Sequence, residues 1–294
     1  MKFISSLLLI ATIIGSCSSD NESADAYGNF EATEIMVAAQ ASGPLLVFDI
    51  YEGQLLKAGQ IVGYIDTTAL DLKRNQLNAQ REAVTSKNPG VAAQIAVLNQ
   101  QMKNAKVDQQ RIQNMFNEGA ATQKQLDDIN GQLDLIGKQI ESTASQHAGI
   151  AAELKSMDAQ IAQVNDQIGR SYITNPSDGT VLTKYAEQSE ITAAGKSLYK
   201  LADLKKFELR AYLSGGQLAA VKIGDKVRVM FDTEGGQSGE TTGFITWIAA
   251  AAEFTPKIVQ TKEQRTNLVY AMKVEVDNTN GQLKIGMPGE VFLK

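Results

Sequence analysis

The stretch LDDINGQLDLIGKQIESTASQHAGIAAELKSMDAQIAQVNDQI, residues 126–168, decides the fold. Its seam positions fall at Leu126, Ile129, Leu133, Ile136, Ile140, Thr143, His147, Ile150, Leu154, Met157, Ile161, Val164 and Ile168. The spacing alternates between three and four without a slip. That is the seam of a helix packed on one partner along its whole length. The partner precedes it. A row at intervals of seven runs Leu70, Leu77, Val84, Val91, Leu98, Ala105 and Ile112, joined after Val91 by Ile95, Met102 and Phe116. Asn88-Pro89-Gly90 interrupts this first arm, because proline disfavours a helical residue before it. The phase of the row is the same on both sides of Pro89. The sequence therefore predicts a kink or short loop in one continuing arm, not a reversal.

The turn between the arms is Asn117-Glu118-Gly119-Ala120-Ala121-Thr122. Gly119 suits a helix C-terminus. Thr122 with Gln125 three residues on has the spacing of a capping box. The arms have nearly equal length, as a hairpin requires. About 45 residues at 1.5 Å each predict a projection of roughly 70 Å.

On either side of this insert lie short apolar stretches punctuated by turns. The first runs through Ile35-Met36-Val37, Leu45–Ile50, Glu52-Gly53, Lys57-Ala58-Gly59 and Ile61–Ile65. The second runs through Tyr172-Ile173, Asn175-Pro176-Ser177-Asp178-Gly179, Val181-Leu182, Glu190-Ile191 and Leu198–Leu201. They read as two halves of one β domain that the helices interrupt. Beyond residue 203 a further β domain is predicted, with strands at Phe207–Tyr212, Asp225–Phe231, Thr242–Ile248, Leu268–Asp277 and Gly289–Leu293, and a short helix at Ser214–Val221. The class is α+β.

The chain has 294 residues, a formal net charge of −5 and only 6% aromatic residues. No basic face is in evidence, so a nucleic-acid partner is not expected. At the start, Lys2 precedes an apolar run, Phe3 to Ile14, which is too short to span a bilayer and reads as a secretory signal. Ile14-Gly15-Ser16-Cys17 resembles the lipobox at which a bacterial lipoprotein is cleaved and acylated. Cys17 is the only cysteine, which rules out an internal disulfide. A polar tether follows it. At about 0.8 kcal/mol per buried methylene, two or three acyl chains hold a protein at a membrane without a spanning helix.

Little else points to chemistry. His147 is the only histidine and falls on the seam without a Cys, His or carboxylate cluster, so it reads as a packed or partly wet seam residue. Gly215-Gly216 and Gly235-Gly236 lack the Lys-Ser/Thr of a phosphate loop and read as turns. Asp127-Asp128 lies near a helix start, where the dipole favours negative charge. Arg111, Met115 and Thr122 flank the hairpin turn at spacings of four and seven. On local physics they are a surface arginine, a residue beside the seam and an N-cap.

The order of these motifs resembles the periplasmic adaptor family, also called membrane fusion proteins, of which the haemolysin-secretion adaptor is a member. The likeness covers nearly the whole chain after Cys17. The family's lipoyl-like halves are similar to Glu31-Ala32 through Asp66 and to Asn175–Val181 with Gly195-Lys196-Ser197-Leu198. Its β-barrel is similar to Leu209–Tyr212, Val221–Val229 and Gly286-Met287-Pro288. The resemblance implies a signal peptide over 1–16, a lipid-anchored tether over 17–30 and a lipoyl-like half over 31–66. It then implies a helical hairpin over 67–170 with its tip at about 117–122, a second half over 171–203 and a barrel over 204–294. It implies the adaptor of a tripartite efflux or secretion pump, lipidated at Cys17 and anchored to the inner membrane on the periplasmic side. Partners would be an inner-membrane permease with its ATPase, a trimeric outer-membrane channel, and further copies in a ring, six by analogy. No cofactor, metal or catalytic residue is implied.

Members that dock tip to tip on the channel carry Arg, then Leu four residues on, then Ser seven further. Arg111, Met115 and Thr122 stand at those spacings, with Met for Leu and Thr for Ser. The segment Glu253–Lys257, Gln260–Glu263, Arg265 and Leu268–Tyr270 is similar to the branch that serves ATP-binding-cassette exporters. The membrane-proximal domain of many adaptors is expected to be missing or reduced to a strand near Asn29–Met36. Two alternatives remain. One is the adaptor of a proton-driven pump. The other is a lipoyl or biotinyl carrier subunit, whose modifiable lysine would sit on the turn that the hairpin replaces here.

Overall fold

The computed structural model describes residues 24–233, 238–254 and 268–293. Cys17 and residues 255–267 lie outside them, and so does Gly235-Gly236. The chain divides into two units, one of Ile35–Leu201 and one formed by residues up to Glu34 together with Ala202 onward.

In the first unit, two four-stranded sheets share one core. The strands before the helices are β2 (Glu34–Ala38), β3 (Gly43–Phe48), β4 (Leu55–Leu56) and β5 (Ile61–Ile65). Those after them are β6 (Tyr172–Thr174), β7 (Gly179–Lys184), β8 (Ile191–Thr192) and β9 (Ser197–Ala202). One sheet has the order β2-β9-β7-β4 and the other β6-β5-β3-β8. Exchanging each strand for its counterpart in the other half (β2 with β6, β3 with β7, β4 with β8, β5 with β9) turns one sheet into the other. The two halves are thus interleaved about an approximate two-fold, and neither could bury its apolar face alone. Leu45, Leu56, Ile65, Leu198, Tyr199 and Leu201 are fully buried between the sheets. Asn175 pins the halves together. Its side-chain amide donates to the Lys57 and Ser177 carbonyls, and its Oδ1 accepts from the buried Tyr199 hydroxyl at 3.0 Å.

Between β5 and β6 run α1 (Thr68–Thr85), α2 (Asn88–Asn117) and α3 (Gln123–Ser171). Asp66 Oδ1 accepts from the backbone N–H and the hydroxyl of Thr68 at the start of α1, and those bonds lower the Asp66 pKa. Both α1 and α2 pack on α3. Arg81 of α1 pairs with Asp158 at 2.6 Å, and Gln109 of α2 donates to Asn130 at 2.7 Å. Both pairs have the same residue-number sum, so α1 and α2 keep one antiparallel register over α3. The break at Ser86-Lys87 therefore interrupts one arm without shifting it, and Pro89 sits in the first turn of α2, where its missing N–H costs nothing. Leu77, Val84, Leu98, Ala105, Ile129, Ile136, Thr143 and Val164 are the buried seam. His147 departs from the expectation. It is exposed, because the register sets it level with the stretch just after Pro89, where the facing arm has only begun to rebuild its seam.

The second unit is a six-stranded barrel. Its strands are β1 (Ala26–Glu31), β10 (Lys206–Ser214), β11 (Lys226–Asp232), β12 (Ser238–Ile248), β14 (Leu268–Asp277) and β15 (Pro288–Phe292). They run β10-β1-β15-β11-β12-β14, and pairing of β10 with β14 closes the ring. The short β13 (Glu253–Phe254) adds to β14. Buried and exposed residues alternate along β10, as a barrel wall requires. Phe30, Phe207, Leu209, Leu213, Val229, Val274 and Val291 fill the interior. Three expectations change here. The barrel is not made by 204–294 alone, because Ala26–Glu31, assigned mainly to the tether, supplies one of its strands. The strand expected near Asn29–Met36 is divided between two elements, with Asn29–Glu31 in β1 and Glu34–Met36 in β2. Gly28 is the reason β1 fits: a Cβ there would lie 2.0 Å from the Arg210 carbonyl oxygen. The helix expected at Ser214–Val221 is one 3₁₀ turn, Leu218–Ala220.

Candidate functional site

The hairpin turn is stitched by its backbone. Glu118 ends α2, and Gly119 follows with φ +76°. The Gly119 N–H donates to Phe116 O at 3.0 Å and the Ala120 N–H to Met115 O at 2.7 Å. These two bonds form a Schellman motif, which glycine permits because it has no Cβ to clash. Three residues later α3 begins. The Thr122 N–H donates to Gln125 Oε1 at 2.8 Å, and the Gln125 N–H donates to the Thr122 hydroxyl oxygen at 3.4 Å. The capping box is complete, so the tip is a short, fixed turn.

Arg111 and Met115 are one helical turn apart on α2, on one side of the arm. The Arg111 side chain is 68% exposed, and its guanidinium pairs with Asp108 at 3.2 Å. Asp108 is a partner that the spacing of the motif does not reveal, though a carboxylate three residues before an arginine is a readable signal. Met115 is 39% exposed. Thr122 is exposed, but its hydroxyl also donates to Gln125 Oε1 at 3.0 Å. The site thus offers a cation, an apolar knob and a hydroxyl already engaged in capping. Any partner that takes the hydroxyl must compete with Gln125. The exposed ion pair, by contrast, is weakly held and exchanges partners at little cost.

The other candidates resolve into structure. Asp127 accepts from Gln123 and Asp128 from Lys124, each four residues back, and Asp128 raises the Lys124 pKa. Among the described residues no cluster of His, Cys, Asp and Glu suits a metal ion. Gly215-Gly216 lies in the turn after β10.

No family model matches the chain. Among curated proteins, it is 27% identical over 293 residues to the UPF0194 membrane protein in the asrC 5′ region of Acidithiobacillus ferridurans, covering 91% of this chain and 86% of that protein. Its fold matches MacA from Actinobacillus actinomycetemcomitans with a TM-score of 0.57 at 22% identity, over 90% of this chain and 76% of MacA. It matches the membrane fusion protein Spr0693 of Streptococcus pneumoniae R6 with a TM-score of 0.50 at 16% identity, over 91% of this chain and 97% of that one. Over nine-tenths of its length the chain therefore has the fold of the membrane fusion proteins, or periplasmic adaptors, and is similar to that family.

Proposed function

We propose that the protein is the adaptor subunit of a tripartite efflux or secretion system, linking an inner-membrane exporter to a trimeric outer-membrane channel through its hairpin tip. The observation that carries this reading is a helical hairpin set between interleaved β halves and ended by a rigid turn beside exposed Arg111 and Met115. A two-helix projection buries too little to be a core, so its value lies in reach. Arg111 supplies charge-assisted hydrogen bonds to carboxylates or helix-end carbonyls of the channel, Met115 an adaptable apolar contact, and Thr122 a rim hydroxyl. The interleaved β region is a lipoyl-like domain. The hairpin occupies the turn on which a carrier would present its lysine, which argues against the carrier alternative.

An ATP-driven partner is favoured over a proton-driven one by the resemblance at Glu253–Tyr270, of which residues 255–267 lie outside the described structure. Anchoring at the inner membrane is assigned to acylated Cys17. No helix among the described residues is long and apolar enough to cross a membrane. Copies side by side in a ring would enclose the conduit. The role is assembly, not catalysis.

Arg111→Glu tests the tip. It reverses an exposed charge and removes only the Asp108 pair, so folding is expected to be unchanged by circular dichroism while export falls strongly. Normal export by that variant would remove the tip from the docking role. Gentle purification with mass spectrometry of the co-purifying proteins tests the partners. An ATPase and permease with an outer-membrane channel are expected, and a proton-driven permease in their place would move the protein to the other branch.

A further inference from the structure

The two ends of the barrel differ in kind. β1 begins at Ala26 opposite Val291, Tyr27 faces Tyr212, and Arg228 of β11 faces Phe292 of β15. Val269, near the start of β14, faces Ser214. One end of the barrel therefore gathers the start of β1, the β10–β11 and β12–β14 connections and the last residues of β15. Long parts of those connections and their flanking strands carry no charge: residues 211–221 and 241–252 contain no Asp, Glu, Lys or Arg. At the other end the exposed side chains include Asp203, Lys205, Lys206, Asp232, Asp277 and Lys284.

The first end exposes apolar side chains instead. Ile223, Phe254 and Leu268 are each more than half exposed, and Trp247, Ala250 and Ala251 are exposed as well. Phe254 faces Leu268 across β13 and β14, so two large apolar residues stand together in water. An exposed apolar patch of this kind marks a contact surface. Ile223 lies in the turn before β11, between Lys222 and Lys226. Both lysines are exposed, and neither makes an ion pair among the described residues. The carboxylates of these segments are engaged. Asp225 accepts from the Lys222 N–H at 2.8 Å, Asp25 from the Leu293 N–H at 2.7 Å, and Glu253 pairs with Arg210 at 3.1 Å.

We infer that this end of the barrel rests directly on a phospholipid bilayer, with Ile223, Phe254 and Leu268 at the boundary of headgroups and acyl chains and Lys222 and Lys226 against lipid phosphates. The place where the chain enters the barrel identifies the occupant. Asp25 is fixed at this same end by its N–H, which donates to Val291 O at 3.0 Å, and by its bond to Leu293. Cys17 stands eight residues before it, from 17 to 25. Eight residues span at most about 28 Å when fully extended, so an acyl group on Cys17 keeps this end, and not the charged one, close to the bilayer. Apolar side chains spread over two connections, with lysines beside them, suit a fluid interface: rings and aliphatic groups enter the boundary while cations meet the phosphates. The contact would hold the barrel against the membrane instead of leaving it suspended on the tether. This deepens the anchoring assigned to Cys17 above and rests on it.

The full-length chain, purified from the membranes of the cells that produce it, is placed in vesicles of phosphatidylethanolamine and phosphatidylglycerol. Ile223→Cys, Phe254→Cys and, at the charged end, Ile285→Cys are labelled one at a time with an environment-sensitive fluorophore. All three positions are exposed, and thermal melts check that the variants fold. The parent chain, treated alike, gives the background from Cys17. Brominated acyl chains should quench the labels at 223 and 254 about threefold more than the label at 285, since only the first two enter the boundary. Adding Lys222→Glu and Lys226→Glu to the Phe254→Cys chain should remove most of that difference. Equal quenching at all three positions would overturn the proposal, and quenching indifferent to the charge reversals would remove the lysines from it. Intact mass reads acylation separately. An acylated chain with unquenched labels keeps the anchor and discards the barrel contact, whereas an unacylated chain with quenched labels keeps the contact and discards the anchor. An unacylated chain with unquenched labels discards both.

Discussion

In the barrel, Leu209, Leu213, Val229 and Val274 are wholly buried, whereas the buried apolar side chains of the hairpin lie in one seam and even its best-covered members, Leu77 and Ala105, still touch water. The barrel wall has an inside, so alternate residues on every strand contribute to one core. Two helices have only a line of contact, and most of each helix surface has no partner within the chain. The same chain thus concentrates its apolar residues in its β domains and leaves its arms thin. The lesson is that the hairpin cannot be judged by the standards of a core.

The comparison is broken most directly by emptying both regions in the same way. Leu209→Ala should cost about 3 kcal/mol or more, because the barrel wall cannot collapse around the void. Ile136→Ala should cost about 2 kcal/mol, the low end for such a change, because water and neighbouring side chains can fill the gap at an open seam. Denaturant titration separates them. Trp247, the only tryptophan, lies on β12 and reports the barrel, while ellipticity at the helical band is dominated by the hairpin. If Ile136→Ala proved as costly as Leu209→Ala, the seam would be covered by something besides its own arms, and side-by-side copies would be the first suspect.

The two-sheet sandwich of the first unit has a buried polar pin of its own, as the barrel unit has at Asn278, whose amide donates to the Leu204 and Leu283 carbonyls. Burial pushes the Tyr199 phenol up to about 12, so it stays protonated and donates to Asn175. Asn175→Ala leaves that hydroxyl buried without a partner and should cost about 1–3 kcal/mol. The raised value also sets a pH dependence. The folded state holds the phenolic proton more tightly than the unfolded chain, so this contribution is complete below about pH 10 and is lost as pH rises toward 12. Alkaline denaturation that was unchanged by Tyr199→Phe would contradict the assignment.

Much of this was legible in the residues. The strict alternation of the seam, the constant phase across Pro89, and the Gly119 and Thr122–Gln125 signals are local patterns, and local patterns survive in a sequence. What was hidden depends on distant pairing. Nothing near Ala26–Glu31 says that it closes a barrel whose other strands begin at Lys206, because the β1–β10 register is set by tertiary packing around Gly28. His147 carries the seam spacing yet stays wet, since burial depends on what the facing arm offers at that level. At the tip, the spacing of Arg111, Met115 and Thr122 marks three positions. The engagement of the Thr122 hydroxyl with Gln125 and of Arg111 with Asp108 came only from geometry.

The smallest expected effect compares the two β halves with each other. Gly53 and Ser189 occupy equivalent turns, just before β4 and β8, with φ of +84° and +75°. Glycine meets that conformation without strain, whereas a residue with a Cβ gives up about 1–2 kcal/mol to adopt it. Ser189 is the only described residue other than glycine with positive φ. It is held there by its N–H, which donates to the Leu45 carbonyl at 2.8 Å and ties the turn to the first half. Ser189→Gly should therefore stabilise the sandwich, but by no more than about 1 kcal/mol, because glycine's extra freedom in the unfolded chain offsets part of the relief. Gly53→Ser should cost about as much. Opposite signs at the two sites would establish that the halves share one backbone and differ only in the residue that must fit it. A loss of stability from Ser189→Gly would instead mean that the serine hydroxyl contributes more than its backbone costs, and the equivalence of the two turns would have to be given up.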